Sequence, residues 1–348
     1  MFPLAAITRY KLRKLIKYGL VTLGVASVLS LFSGDEVRGW IGAWFLLGVW
    51  TGVLEEFLFG RRFRSLAIPL QFLGKALSVN LLTIAFIAMA FAFDSEQQLA
   101  LSPQGDFSAH QMLFMASFYR MILRVVVATS IAILIVQMEE SMGRRLFFGF
   151  LLGWYEKPKA EERVMLSIDL VGSTALNEKL GDLRYFRFLN WTHSLMTDPV
   201  LRNEAEIHKY VGDEVIFTWT MRTGVSHFNC LDLYFDIMER ISANAEEMKS
   251  EFGTVPHFRG ALHGGRVITA QTGHIKRAID FSGDVMNTLS RMSSLCKDLK
   301  ADLLISSEML KHLPDASERF TIGEERTLPV KGRKREVRAH TVLRKEPS

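Results

Sequence analysis

Four long apolar runs crowd the first 140 residues of this 348-residue chain, and they restrict its fold before any single side chain is weighed. They extend from about Tyr18 to Phe32, Trp40 to Phe59, Leu66 to Phe93 and Met112 to Val136. Each reaches or approaches the roughly 20 residues that cross a bilayer core, so four transmembrane helices are expected. No small-residue cleavage site follows the first run, which therefore reads as an anchor and not a removable signal. The basic segments RYKLRKLIK, GRRFR and Gly143–Arg145 flank these runs, while the loops SGDEVR and DSEQQLALSPQGD are poor in Lys and Arg. The positive-inside rule then places both termini in the cytoplasm of a multi-pass inner-membrane protein.

Five ionisable residues lie in or near the spans: Glu55, Glu56, Lys75, Arg120 and Arg124. Charges at such depth are expected to pair across helices or to snorkel, and Lys75 is the one expected to meet an acid on another helix. His110 is the only histidine in this half, which excludes a bis-histidine haem anchor. A ligand or partner of this half has no signature in the sequence.

The second half has the charge density of a soluble protein. Over the whole chain, 42 Lys+Arg against 37 Asp+Glu leave a net charge of only +5. The basic clusters sit beside the apolar runs or in the tail KGRKREVR, so nothing resembles the clustered face of a nucleic-acid binder. Cys230 and Cys296 lack metal-like spacing and read as reduced structural thiols of a cytosolic domain. Between the halves, Gln137–Glu162 continues the fourth helix and then carries LFFGFLLGWY, an interfacial or helix-pairing segment too short to span. Pro158 ends the helical pattern and KPKAEER reads as a linker. The expected division is therefore a membrane domain over 1–137, a junction over 138–162 and a soluble domain over 163–348.

Three segments of the soluble domain carry chemistry. RVMLSIDLVGST is a strand pattern ending at Asp169, after which Gly172, Ser173 and Thr174 open a helix expected over Ala175–Met196. Backbone N–H groups at a helix start bind anions such as phosphate, although Ser173 or Thr174 would equally serve as an ordinary N-cap. IHKYVGDEVIF reads as a hairpin pinched at Gly212, with Lys209 before the turn and Asp213 and Glu214 after it. Asp213 lies 44 residues beyond Asp169. If the two strands are neighbours, two carboxylates converge, as divalent ions that bind phosphates require. In IDFSGDVMNTLSRM, Asn287 and Arg291 share one helix face. An amide and a guanidinium so placed suit a ribose oxygen and a charged phosphorus centre.

Together these segments resemble the three signature segments of the class III nucleotide cyclases, in order and in spacing. GALHGGRVITAQTG resembles that family's glycine-rich strand, and LPVKGRKREV its terminal hairpin. The resemblance covers about Arg163 to Leu343. It implies an α+β catalytic domain with a mostly antiparallel sheet, behind the four-helix membrane domain, working as a head-to-tail homodimer with shared sites. It further implies that Asp169, Asp213 and the Leu170 carbonyl hold two Mg²⁺ or Mn²⁺ ions from one protomer. Lys209 and Asp280 of the other would read the purine, Asn287 would orient the ribose and Arg291 would stabilise the α-phosphate. Lys331, with Arg333 as the alternative, would meet the terminal phosphates.

A donating lysine and an accepting aspartate complement N1 and N6 of adenine, and oppose the reversed pattern of guanine. The expected activity is thus conversion of ATP to 3′,5′-cyclic AMP and pyrophosphate. The alternatives are a silent nucleotide-binding receptor, which the intact Asp and Arg positions disfavour, and a guanylate cyclase, which Lys209 and Asp280 disfavour.

Overall fold

The computed structural model describes residues 4–33, 41–58, 68–101, 116–142, 144–273, 278–299, 301–328 and 336–345. The chain forms two compact units, one of Thr8–Phe147 and one of Phe148–Ser348 together with Met1–Ile7.

The first unit is helical: α1 (Leu4–Ser33), α2 (Ile41–Leu58), α3 (Ile68–Leu101) and α4 (Ala116–Met142). Among the described residues, Thr8–Leu31 and Tyr119–Glu140 are long and apolar enough to cross a membrane. The basic segment expected to precede the first span is itself helical, because α1 begins at Leu4. Its lysines find acids on other helices. Lys14 pairs with Glu55 at 2.9 Å and Glu140 at 2.8 Å, and Lys17 pairs with Glu139 at 2.7 Å. Lys75 meets Glu55 at 2.6 Å, as expected of it, and the Tyr18 hydroxyl donates to the same carboxylate at 3.1 Å. Lys14, Glu55, Lys75 and Glu139 are all buried. Helices α3 and α4 are further tied by Thr129, which donates to Asn80 at 2.7 Å. Gly48 lets α2 pass close to α1, since a Cβ there would strike the Tyr18 carbonyl oxygen and Gly19 Cα.

The second unit opens with α5 (Arg144–Leu151), which ends short of Pro158. Strand β1 (Lys159–Leu170) follows and organises everything else. Lys159–Glu162, expected as linker, is already part of this strand and pairs with Thr269 through Arg266. The charged composition imitates a linker, but Glu161 is held by Arg163 and by the Thr269 hydroxyl. Next come α6 (Ser173–Leu180), α7 (Asp182–Leu195) and α8 (Thr197–Arg202). The single helix expected over Ala175–Met196 is thus two, broken at Gly181, which no side chain caps.

The hairpin of β2 (Glu206–Val211) and β3 (Glu214–Thr220) leads through α9 (Met221–Val225) to α10 (Asn229–Ala243) and α11 (Ala245–Phe252). Long β4 (Phe258–Thr272), β5 (Ala278–Ser282) and α12 (Asp284–Leu299) follow. The chain closes with β6 (Leu303–Ser306), α13 (Ser307–Leu310), α14 (Ala316–Arg319), β7 (Phe320–Ile322), β8 (Arg326–Leu328) and β9 (Val337–Arg344). The strand order is β2-β3-β1-β4-β6-β9-β7, with β5 on β4 and β8 on β9. Only the β4–β6 pairing is parallel among the described residues, so the sheet is mixed but mostly antiparallel.

Strand alternation sends β1 residues to two cores. Val164, Leu166, Ile168 and Leu170 pack with Phe188, Leu233 and Ile237 from α7 and α10. Met165, on the other face, packs with Val285, Leu289 and Met292 of α12. Asp169 shares the parity of Met165, so the strand that builds the core also points its terminal acid to the α12 side. Both thiols are free and buried, and burial pushes each up to about 12.

Candidate functional site

Asp169 and Leu170 end β1. The Leu170 side chain is buried in the core, so that side chain is not a candidate ligand. Gly172 then takes a left-handed φ of 73° and its carbonyl accepts from Leu176 at 3.0 Å, starting α6. Gly172 is itself the N-cap and no side chain caps the helix, so neither Ser173 nor Thr174 has the ordinary capping role. Ser173 instead lies beside the Tyr185 hydroxyl of α7 and acts to lower its pKa.

Asp213 sits in the two-residue turn between β2 and β3, beside Gly212 at φ 66°. Because β3 pairs with β1, placing Val215 opposite Ile168, this turn lies at the Asp169 end of the strand. The two carboxyl groups are near enough to share a hydrogen bond. Burial first, and the Asp213 charge second, push the Asp169 pKa above the ordinary carboxylate value, against the pull of Lys297, 3.3 Å away on α12. Burial and the same two acids also raise the Tyr185 hydroxyl.

Among the described residues no group of three or more His, Cys, Asp and Glu side chains gathers as a metal cage. Two carboxylates and a strand-end carbonyl are instead the sparse, hard-oxygen donor set that suits a divalent ion sharing its shell with water and phosphate. Their mutual repulsion favours a cation between them. The residues present fit such a group.

A second constellation forms around Asp280 on β5. Lys209 Nζ donates to its Oδ1 at 3.1 Å and Oδ2 at 3.4 Å, and the Phe281 amide donates to Oδ1 at 2.9 Å. His208 Nε2 lies 3.0 Å from the same Oδ1; an ionised carboxylate only accepts, so this nitrogen carries the proton. Burial would raise the Asp280 pKa, but Lys209, the Phe281 amide and His208 outweigh it and hold the carboxyl below its ordinary range. Burial, then the Lys209 charge, lowers the His208 pKa and favours a neutral ring.

On α12, Asn287 is exposed and Arg291 half-buried, four residues apart on one face, while Val285, Thr288, Leu289, Met292 and Cys296 bury the other. Neither Asn287 nor Arg291 makes a hydrogen bond or ion pair among the described residues. Lys331 and Arg333 lie outside the described residues. Within one chain, then, Asp169 joins Asp213 and Lys209 joins Asp280. Sequence reasoning missed Tyr185, His208 and Lys297.

The family model for the adenylate and guanylate cyclase catalytic domain matches residues 155–344, more than half of the chain. "Adenylate cyclase 2" of Rhizobium meliloti (strain 1021) is 42% identical over 181 residues, covering 52% of this chain. This chain spans 50% of that relative's length. Among solved structures, a bacterial light-regulated adenylyl cyclase superposes with a TM-score of 0.51 at 18% identity, covering 66% of this chain and 65% of that one, a likeness of fold. The adenylyl cyclase CyaB from P. aeruginosa gives a TM-score of 0.48 at 17% identity, over 55% of this chain and 97% of that one. This chain therefore belongs to the class III adenylate and guanylate cyclase family, with the family's catalytic domain at residues 155–344.

Proposed function

We propose that this protein is a membrane-anchored adenylate cyclase that converts ATP to 3′,5′-cyclic AMP and pyrophosphate at sites shared by a head-to-tail homodimer. The observation that carries the reading is the contact of Lys209 with Asp280 at 3.1 Å, which presents a donor and an acceptor side by side as adenine requires. Guanine would meet the reverse at both positions and leave buried polar groups unpaired.

Asp169, Asp213 and the Leu170 carbonyl would hold the divalent ions, Mg²⁺ or Mn²⁺. When bound, two such ions activate the ribose 3′-hydroxyl and neutralise the triphosphate. The uncapped start of α6 at Gly172, Ser173 and Thr174 would receive phosphate oxygens on backbone N–H groups. From the second protomer, Lys209 and Asp280 orient the base, Asn287 orients the ribose, and Arg291 offsets charge that grows on the α-phosphate. Lys331, or Arg333, would reach the terminal phosphates. The grouping within one chain supports the shared site: the metal acids meet each other, and the base-reading pair meet each other. One chain carries both sets, so a two-fold dimer has two complete sites. The helical unit supplies the anchor, with four spans, both termini and the catalytic domain on the cytoplasmic side.

The test is cyclic nucleotide formation by the full-length protein in membranes, with ATP or GTP and with Mg²⁺ or Mn²⁺, and Asp213→Asn as control. Cyclic AMP that disappears in the variant supports the reading. Cyclic GMP as the main product overturns the substrate assignment, and no product under any condition overturns catalysis by the protein alone.

A further inference from the structure

Lys209 and its neighbour His208 both reach Asp280, which a regular strand forbids, because consecutive side chains point to opposite faces. The register explains how. Ile207 pairs with Phe217, and Lys209 pairs with the next residue, Ile216, so His208 is the extra residue of a bulge in β2. Bulges of this kind re-aim a side chain. The His208 side chain is 6% exposed, and its ring centre lies 4.6 Å from that of Phe281. The guanidinium of fully buried Arg163, held by Glu161 and Glu206, sits 5.3 Å from the centre of the same Phe281 ring. The imidazole is thus seated on a ring that is itself fixed.

The two oxygens of Asp280 are treated unequally. Oδ1 receives the Phe281 amide at 2.9 Å, His208 Nε2 at 3.0 Å and Lys209 Nζ at 3.1 Å, whereas Oδ2 has only the longer Lys209 contact at 3.4 Å. A carboxylate oxygen with three donors has little capacity left. We propose that His208 is a positioning residue for base recognition, occupying Oδ1 so that Oδ2 is the oxygen presented to the exocyclic amine of the purine. This rests on reading Asp280 and Lys209 as the base contacts. Without His208 the carboxylate would be free to turn toward Lys209, and the acceptor that admits an amine and rejects a carbonyl would lose its fixed direction.

A histidine that merely fills space against Phe281 would affect stability and leave base choice alone. The experiment therefore compares ATP with GTP in the full-length protein in membranes, by steady-state kinetics and by equilibrium binding of each nucleotide, for His208→Phe, His208→Gln and Asp280→Ala. Thermal midpoints are measured alongside. His208→Phe keeps a ring on Phe281 and removes the donor. It should raise KM for ATP about tenfold with kcat nearly unchanged, and lower the ATP-over-GTP preference by a similar factor. His208→Gln, which offers an N–H near the position of Nε2, should recover most of both. If Asp280→Ala loses the preference while His208→Phe retains it, the positioning role is wrong and the base site stands. If Asp280→Ala also retains it, the base-site reading fails and the role of His208 falls with it.

Discussion

Both units of this protein bury paired charge, Lys14 and Lys75 with Glu55 in one and Arg163, Asp232 and Asp236 with their partners in the other, but the half-buried acids of the candidate site depart from that pattern. In the helical unit the buried ions close on one another: Lys14, Lys75 and Glu55 lie on three helices, and each has an opposite charge within 3 Å. At the candidate site the central acids are of like sign, Asp169 beside Asp213, and among the described residues the ion pair that reaches Asp169 comes from the largely exposed Lys297 ammonium. A closed set of charges holds helices together and leaves little for a ligand to gain. An unbalanced set opposes folding and is relieved by whatever cation arrives. Burial alone therefore does not mark a functional charge; like charges left without a closing partner point to one more directly.

The largest expected effect tests the unbalanced side. Asp169→Asn should lower cyclase activity about 10³-fold, the scale of losing a principal electrostatic stabiliser, while the thermal midpoint in the absence of metal holds or rises. The sign follows from the raised pKa of Asp169. Its ionisation is less favourable folded than unfolded, so the metal-free protein loses stability as pH rises through the carboxylate range, and the amide removes that loss. A clear fall in midpoint would break the contrast.

Next in size is the balanced side. Glu55→Gln leaves Lys14 and Lys75 buried without their shared carboxylate and should destabilise the helical unit by about 3 kcal/mol, read by thermal unfolding in detergent. A change near zero would place these pairs with exposed ion pairs of little worth.

The smallest effect sharpens the role of the cation paired with Asp169. Lys297 holds down the Asp169 pKa, so Lys297→Met should move the acid limb of the pH–activity profile upward. Direct Mn²⁺ binding, followed across the same pH range, should shift the same way, because the proton competes longer for the carboxylate. A profile that does not move, or moves down, would remove Lys297 from the electrostatics of the site.

Much of the site was legible in the sequence because its parts are local. Gly212 and Asp213 make their own turn, and Asn287 and Arg291 need only one helix to share a face. What escaped is pairing over long separation. His208 and Asp280 are 72 residues apart, and Glu55 and Lys75 are 20 apart. Lys75 was expected to find an acid, but which acid follows only from how the helices pack. Lys159–Glu162 shows the same limit in the fold: three charged residues and an alanine after a proline look like a linker until β4 supplies a partner strand. The break at Gly181 was hidden because the helical periodicity of α6 and α7 continues across it.

On the proposed reading of the base site, the bulge in β2 would make the length of that strand, and not only its side chains, part of how nucleotide choice is inherited. Removing residue 208 would leave Lys209, Asp280 and both metal acids unchanged in identity. It would nevertheless restore ordinary alternation, so that the residue before the lysine looks away from Asp280. If Lys209 and Asp280 read the base, selectivity would be open to change by a single-codon deletion that leaves both of those residues in place.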